Sequence, residues 1–513
     1  MSTSRVGLIA QVRSFPHAFW MMNMIEMFER CAYYGVRVVL PIYIAQADSP
    51  GGLHFSQTQK GVIFMAWAII QSLTPMLSGG FADRYGYKKT IATSIALTII
   101  GYCLMGTLRE YVPFLLSCCF LAFGTAIFKP GIQGSLVQCL THETSSVGWG
   151  TFYMVVNVGG FLGPPVAHFL YGISWPAVFF GCAAILSLNF LMLFTYKEIP
   201  PGGDPRGTPW TILKMTAKNM FGNLRLCTFI VVMSGFWLMF MQLFDMLPNF
   251  IVDWVDTTAI VAQFGLPSWM TYDSGRGIMI AQEWMINANS GLIVIAVLFV
   301  SWLVSKMRRL TSIMTGIIIS AGGLILAGFT MSGWLCILGI LCFSIGEMLS
   351  SPKMNEYLGV IAPEGQKALY MGYANIPLAI GWGYGAWRGG RVYDIMGDKA
   401  NLALRYLSEH FAIPKGISRE ALLDRLQQLG IDPGRATQAV ADAWAQGEGV
   451  ARTKATEFLQ MVSGQDAAQV THLLWNTYHP YTLWYQFAAI GLASAIGIAI
   501  YSHFAKQWQA TDI

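Results

Sequence analysis

The chain has 513 residues, of which 54% are hydrophobic and 12% charged, against roughly 25% charged in soluble proteins. A water-soluble fold cannot hide that much apolar surface, because single cores stop growing as chains lengthen. The formal net charge of +5 is scattered in short tracts between apolar runs, so no nucleic-acid partner is expected and the composition points to the lipid bilayer.

A helical crossing needs about 20 apolar residues. Runs of that kind lie at 18–46, 58–80, 90–108, 112–138, 147–171 and 175–196, then at 226–255, 279–305, 310–332, 334–361, 367–396 and 479–507. The layout is six crossings (1–196), a linker (197–225), five crossings (226–396), an insert (397–477) and a last crossing with its tail (478–513). The linker opens with Pro and Gly and continues as an amphipathic surface-helix pattern. Residues 1–17 carry Arg5 and Arg13 without a cleavable apolar region after them, so no signal peptide is expected.

Orientation follows from Lys and Arg in the short loops. Arg84, Lys88 and Lys89, Lys197 to Arg225, Lys306 to Arg309, and Lys367 all fall in even loops. Both termini are expected in the cytoplasm of a multi-pass cell (inner) membrane. The insert has ordinary soluble composition, with eight Lys/Arg against nine Asp/Glu. Ser418 opens a helical pattern that stops at Gly430, and a second follows at 435–447. Placed outside the cytoplasm, it reads either as a docking surface for another protein or as a lid or spacer. The nine cysteines lie in or beside apolar runs without metal-ligand spacing, and neither they nor the histidines form a metal site. His168, in the fifth run, reads as a packing residue rather than a proton relay. No serine nucleophile elbow or glycine-rich phosphate loop suggests an enzyme.

The informative residues are charges inside the spans, each costing about 2.5–3.5 kcal/mol at mid-helix. In EMFERCAYYGVR, Glu26, Arg30, Tyr33 and Arg37 stand at offsets 0, 4, 7 and 11, within about 60° of one helix face. Glu29 adjoins them. Lys129 lies deep in the fourth span before Pro130, Glu347 deep in the tenth, and Asp245 in the seventh. Lys353 and Glu356, nearer a span end, fit a local pair or gate. Four acids (Glu26, Glu29, Asp245, Glu347) face three bases (Arg30, Arg37, Lys129). In one shared chamber one carboxylate lacks a partner, and a partnerless buried carboxylate is suited to reversible protonation. A solute with a cationic and an anionic end fits between the surplus acid and the bases.

GGFADRYGYKK, with Gly79, Asp83, Arg84 and Gly86, resembles the conformational-loop signature of the major facilitator superfamily. Within it the chain resembles the proton-dependent oligopeptide transporters. ExxER with YYGxR is matched by Glu26, Glu29, Arg30, Tyr33, Tyr34 and Arg37, and FKP by Phe128, Lys129 and Pro130. FYMVVNVGGFLGP supplies Tyr153 and Asn157. Trp237 and Gln242 match the seventh span, Asn287 the eighth, and Glu347 with Ser351 and Pro352 the tenth.

The resemblance implies an all-α fold of twelve transmembrane helices in two six-helix bundles, with the insert outside it. It also implies a proton-coupled symporter importing di- and tripeptides, driven by the proton gradient without a cofactor. Glu26, Glu29, Arg30, Lys129, Glu347 and Asp245 would couple to protons. Tyr34, Arg37, Lys129, Tyr153, Asn157, Trp237, Asn287 and Glu347 would line the substrate site, with Arg37 and Lys129 toward the peptide carboxylate and Glu347 toward the amino end. Another small zwitterion or organic anion as cargo, or export, is the alternative. Met241 stands where the family carries an acid in the seventh span. Asp245, one helical turn on, shares its face and is placed to substitute.

Overall fold

The computed structural model describes residues 12–46, 51–141, 144–198, 211, 214, 218, 222–304, 307–362, 370, 372–432, 440 and 450–507. The greater part of the 197–225 linker and of the 435–447 helical pattern, together with Lys306 and Lys367, lies outside the described residues.

Six long helices form the first half: α1 (His17–Ala45), α2 (Gln57–Tyr85), α3 (Tyr87–Thr107), α4 (Tyr111–Gln138), α5 (Ser145–Tyr171) and α6 (Trp175–Phe194). The seventh crossing is broken into α7 (Leu224–Phe240), the single turn α8 (Gln242–Asp245) and α9 (Leu247–Trp254). Pro248 sits in the first turn of α9, where a missing backbone donor costs nothing. After α10 (Thr258–Phe264) come α11 (Gln282–Val304), α12 (Arg309–Gly328), α13 (Gly333–Ile361) and α14 (Asn375–Met396). The insert contributes α15 (Lys399–Phe411), α16 (Arg419–Gln428), α17 (Ala455–Ser463) and α18 (Ala467–Tyr478), and α19 (Leu483–Gln507) is the last crossing. Ser418 caps α16 by accepting a hydrogen bond from the Ala421 amide, as its sequence pattern indicates. One element departs from an all-helical reading: β1 (Thr271–Asp273) pairs antiparallel with β2 (Ile278–Ile280) in a small hairpin before α11.

Helix contacts repeat between the halves. In the first, α1 packs on α5 and α6, α3 on α4 and α6, and α2 on α4. In the second, α7 packs on α14 and α19, α12 on α13 and α19, and α11 on α13. The two halves are copies of one six-helix arrangement, a repeat typical of transporters. They meet along two equivalent seams, α2 against α14 and α5 against α11.

The α2–α14 seam closes on glycines. A Cβ on Gly61 would stand 2.7 Å from the Ala386 carbonyl oxygen, and one on Gly390 would strike the carbonyl oxygen of Gln57. Only residues without side chains permit this approach, which lies toward the end of the molecule that carries the insert. At the opposite, terminal end, Gly86 joins α2 to α3 with φ +99°, a conformation L side chains rarely adopt. Its neighbour Lys88 donates its backbone N–H to Glu198 (3.0 Å) and its ammonium to the Tyr196 carbonyl (2.8 Å). Arg84 is exposed at this turn; the side chains of Gly79 and Asp83 lie outside the described residues.

Replacing Gly390 with leucine overpacks the seam, at a cost of about 1–3 kcal/mol. The expected result is easier opening of the insert side, seen as faster thiol labelling of a Gln46→Cys reporter. Unchanged labelling would show that this crossing does not hold the halves together.

Candidate functional site

The polar stripe of α1 is buried, as its spacing requires, with Glu26, Glu29, Arg30 and Arg37 each at most 6% exposed. It serves two places at different depths. Toward the terminal end, the Arg30 guanidinium donates to Glu29 and lies 3.3 Å from Glu26, with its plane over the Tyr33 ring. Lys129 of α4 faces both carboxylates electrostatically but forms no direct pair among the described residues. Two acids and two bases thus balance within the first half.

Two turns nearer the insert, Arg37 pairs with Asp245 of α8, across the halves. Phe64 and Trp382 flank the guanidinium at 4.4 and 5.5 Å, and the Trp382 indole N–H donates to the other Asp245 oxygen (2.8 Å). Asp245 stands on the short turn α8, between α7 and α9. Lys60 of α2, only 2% exposed, donates to the Asp245 carbonyl (3.0 Å) and to the Asn249 side chain. Asn249 in turn donates to the Pro41 carbonyl (3.0 Å) and to Gln46 (2.7 Å). In this conformation Arg37 is committed to closing the insert side and is not presented to a solute.

The second seam is closed in the same region. His168 and Tyr171 of α5 both contact the Glu283 carboxylate at the start of α11, and Asn287 donates to the Phe161 carbonyl (2.9 Å). His168 is therefore part of a polar contact between the halves. Nearer the terminal end, no hydrogen bond or ion pair joins the halves among the described residues.

Glu347 of α13 lies between these levels. Its carboxylate accepts a hydrogen bond from Asn289 (3.0 Å), which also donates to Ser344 (2.8 Å), and no cation approaches it among the described residues. Tyr34 and Tyr153 face it from the first half. Tyr153 is 42% exposed, and Glu347 is partly exposed. Asn157 lies one turn from Tyr153 and donates to its carbonyl (2.8 Å). Trp237 packs on Phe236 and Phe240, and its buried indole N–H has no partner among the described residues. Gln242 turns back to the Leu238 carbonyl (2.7 Å) and packs against Gly385 and Gly389, a structural position.

The expected single chamber is thus three levels along one path: Arg37–Asp245–Lys60, then Glu347–Asn289, then Glu26–Glu29–Arg30–Lys129. Sequence reasoning missed Lys60, because a lysine at a span end reads as snorkelling. It also chose Asn287 over Asn289 as the asparagine beside Glu347; two residues apart on a helix point to different faces. Lys353 and Glu356 form a local pair (2.6 Å), shared with Arg309 (2.8 Å).

Residues 23–386 match the family model described as Major Facilitator Superfamily. The chain belongs to the major facilitator superfamily. It is a multi-pass membrane transporter and not an enzyme. Among curated relatives, it is 23% identical to the multidrug resistance protein MdtH of Salmonella paratyphi B over 364 residues, 70% of this chain and 83% of that one. It is 26% identical to the uncharacterized transporter YclF of Bacillus subtilis over 182 residues, 35% of this chain and 37% of that one; the match thus spans little more than a third of YclF. Solved peptide transporters share the fold. A POT peptide transporter in complex with sulfate superposes with a TM-score of 0.63 at 15% identity, covering 98% of both chains. Tetrameric PepTSo2 gives 0.62 at 16% identity, covering 96% of this chain and 98% of that one. A POT family transporter in complex with a thioalcohol-conjugated peptide gives 0.60 at 16%, covering 75% and 93%.

Breaking a buried ion pair from one side costs about 3–5 kcal/mol, whereas replacing both partners with apolar residues is often neutral. Asp245→Asn should therefore open the insert side and speed labelling of Gln46→Cys. The double replacement Arg37→Met with Asp245→Leu should bring labelling back toward the wild-type rate. Equal rates in all three proteins would show that the pair does not hold the gate.

Proposed function

We propose that this transporter is a proton-coupled symporter that imports di- and tripeptides by alternating access. The observation that carries the reading is Glu347: an acid that faces Tyr34 and Tyr153 of the other half across the central cleft, hydrogen-bonded to Asn289, without a cation of its own among the described residues. An ammonium group is the partner it lacks. Lys129, without a direct anionic partner, stands deeper on the opposite wall and is suited to the carboxylate end. A zwitterion supplies both of the ends these two residues lack. The fold shared with peptide transporters supports the same reading.

The exposed Arg84, the neighbouring Lys88, and Arg309 lie on the terminal side. By the bias of basic residues toward the cytoplasm, that side is the cytoplasm. The closed insert side is then the outer gate, and the conformation faces inward. Protons enter at carboxylates that exchange a cation for H⁺: Glu26 and Glu29 against Arg30 and Lys129, and Asp245 against Arg37. Protonating Asp245 removes the charge that holds Arg37 across the halves, which favours opening outward.

A second reading, export of a cationic drug, rests on the named function of the MdtH relative and on the same partnerless Glu347. Proteoliposomes with an imposed pH gradient separate the two. Gradient-driven uptake of Ala-Ala with peptide counterflow is expected; no peptide movement with efflux of a cationic dye would overturn the peptide reading. Lys129→Ala and Glu26→Gln should abolish gradient-driven uptake. Glu347→Ala should weaken recognition of a free amino end more than of a carboxylate, measured as competition by N-acetylated against amidated dipeptides.

A further inference from the structure

Beyond the closed gate, on the insert side, lies a cavity of about 430 Å³, within the range of small-molecule sites. Its walls come from three parts of the chain: α1 and Tyr171–Trp175 of the first half, Asp253 and the hairpin of the second, and Asp398, Lys399 and Arg452 of the insert. Most of its charges are already satisfied. Arg452 pairs with Asp398 and donates to the Ala45 carbonyl (3.1 Å), which ties the insert to α1. Glu283 is held by His168 and Tyr171. Asp273 accepts the Gly275 amide (2.9 Å).

Two cations remain. Among the described residues the Arg276 guanidinium donates only to the Val252 carbonyl (2.7 Å), and the Lys399 ammonium lies 5.9 Å above the Trp254 ring without a carboxylate in contact. Both are anchored at the same end of α9, because the Lys399 backbone N–H reaches the Asp253 carboxylate (3.4 Å). That carboxylate is shared with the Tyr393 hydroxyl (2.7 Å). Four acids (Asp253, Asp273, Glu283 and Asp398) and three bases (Arg276, Lys399 and Arg452) line the cavity, and Arg276 and Lys399 are the two bases without a direct carboxylate partner among the described residues. Burial and the neighbouring Arg276 push the Lys399 ammonium down from its ordinary value, against the pull of Asp253. Across the cavity Tyr171 and Trp175 stack at 5.2 Å and offer an apolar wall.

We propose that this cavity is a second solute site, in which Arg276 and Lys399 hold the carboxylate of a small organic acid or peptide against the Tyr171–Trp175 wall. Because both halves and the insert build it, an occupant binds only while the insert side is closed and so favours that conformation. The site is separate from the central cleft and does not depend on which cargo the cleft carries.

A Thr456→Cys reporter on the cavity wall tests it, since none of the nine native cysteines lines the cavity. Labelling of the purified full chain by a charged thiol reagent is followed with hydrocinnamate, Ala-Phe or Ala-Phe amide present. Both carboxylates should slow labelling about tenfold, the scale of a charge-assisted contact, and the amide should not. Protection by hydrocinnamate alone would identify organic acids as the occupant; protection by Ala-Phe alone would identify peptides. Lys399→Gln and Arg276→Gln should each remove protection, Lys399→Arg should retain it, and Glu347→Ala should leave it unchanged. The proposal is overturned by protection from the amide, by protection surviving either Gln variant, by its loss in Glu347→Ala, or by none from either carboxylate. Hydrocinnamate has no amino group, so its result stands whether or not peptides are transported.

Discussion

An ionised side chain at bilayer depth needs a counter-charge, because isolating it costs several kcal/mol, and in this transporter one decisive counter-charge sits on the opposite half. Arg37 belongs to the first bundle and Asp245 to the second, and both are buried. Neither half can bury its charge alone, so closing the insert side and neutralising the charges are one event. Lys60 donates to the Asp245 carbonyl and to Asn249, and Trp382 donates to the Asp245 carboxylate, giving the closed state a connected polar network rather than a lone pair. Such a network is worth most when complete, which favours two discrete states over a graded motion.

The three levels of charge divide the work of transport between them. The cluster of Glu26, Glu29, Arg30 and Lys129 is balanced within its own half, so it can exist whether the molecule is open or closed. Arg37 and Asp245 are balanced only across the halves, so they report on closure. Glu347 is balanced in neither way and is left for a ligand or a proton. A carrier couples two solutes when they compete for, or depend on, the same partners. On the proposed reading Lys129 is the link: it faces the Glu26 and Glu29 pair without a direct ion pair among the described residues, so a bound carboxylate and a protonated glutamate would alter the same electrostatic balance.

How far this was legible from residues alone follows the range of the interaction. The twelve crossings were readable because hydropathy is local, and their ends fall within a few residues of the apolar runs, except where α14 starts at Asn375. The α1 stripe was readable because helical periodicity places Glu26, Arg30, Tyr33 and Arg37 on one face. That Asp245 stands near the level Met241 would have occupied was also foreseeable, one turn being the spacing of shared faces. The interruption between α7 and α9 was not, since no proline or glycine stands at 241–246 to mark it. Lys60 and Asn289 escaped for a similar reason: each acquires its role from a partner far away in sequence, which no local pattern encodes.

The insert shows the same division. Its capped helix was evident in Ser418 and Gly430, but composition could not say what it touches, and the structure ties it to the gate. Arg452 reaches Asp398 and the last turn of α1, Gln57 at the start of α2 donates to Asp398 (3.0 Å), and Trp254 at the end of α9 donates to the Gly397 carbonyl (2.7 Å). Asp398 therefore joins the start of the insert to α2 directly and to α1 through Arg452. Opening must break these contacts along with Arg37–Asp245, and their free energy adds to that of the closed state. An insert that merely hung from the α14–α19 connection would leave gate energetics alone; one fastened through a buried aspartate makes the loop part of the equilibrium that transport runs on.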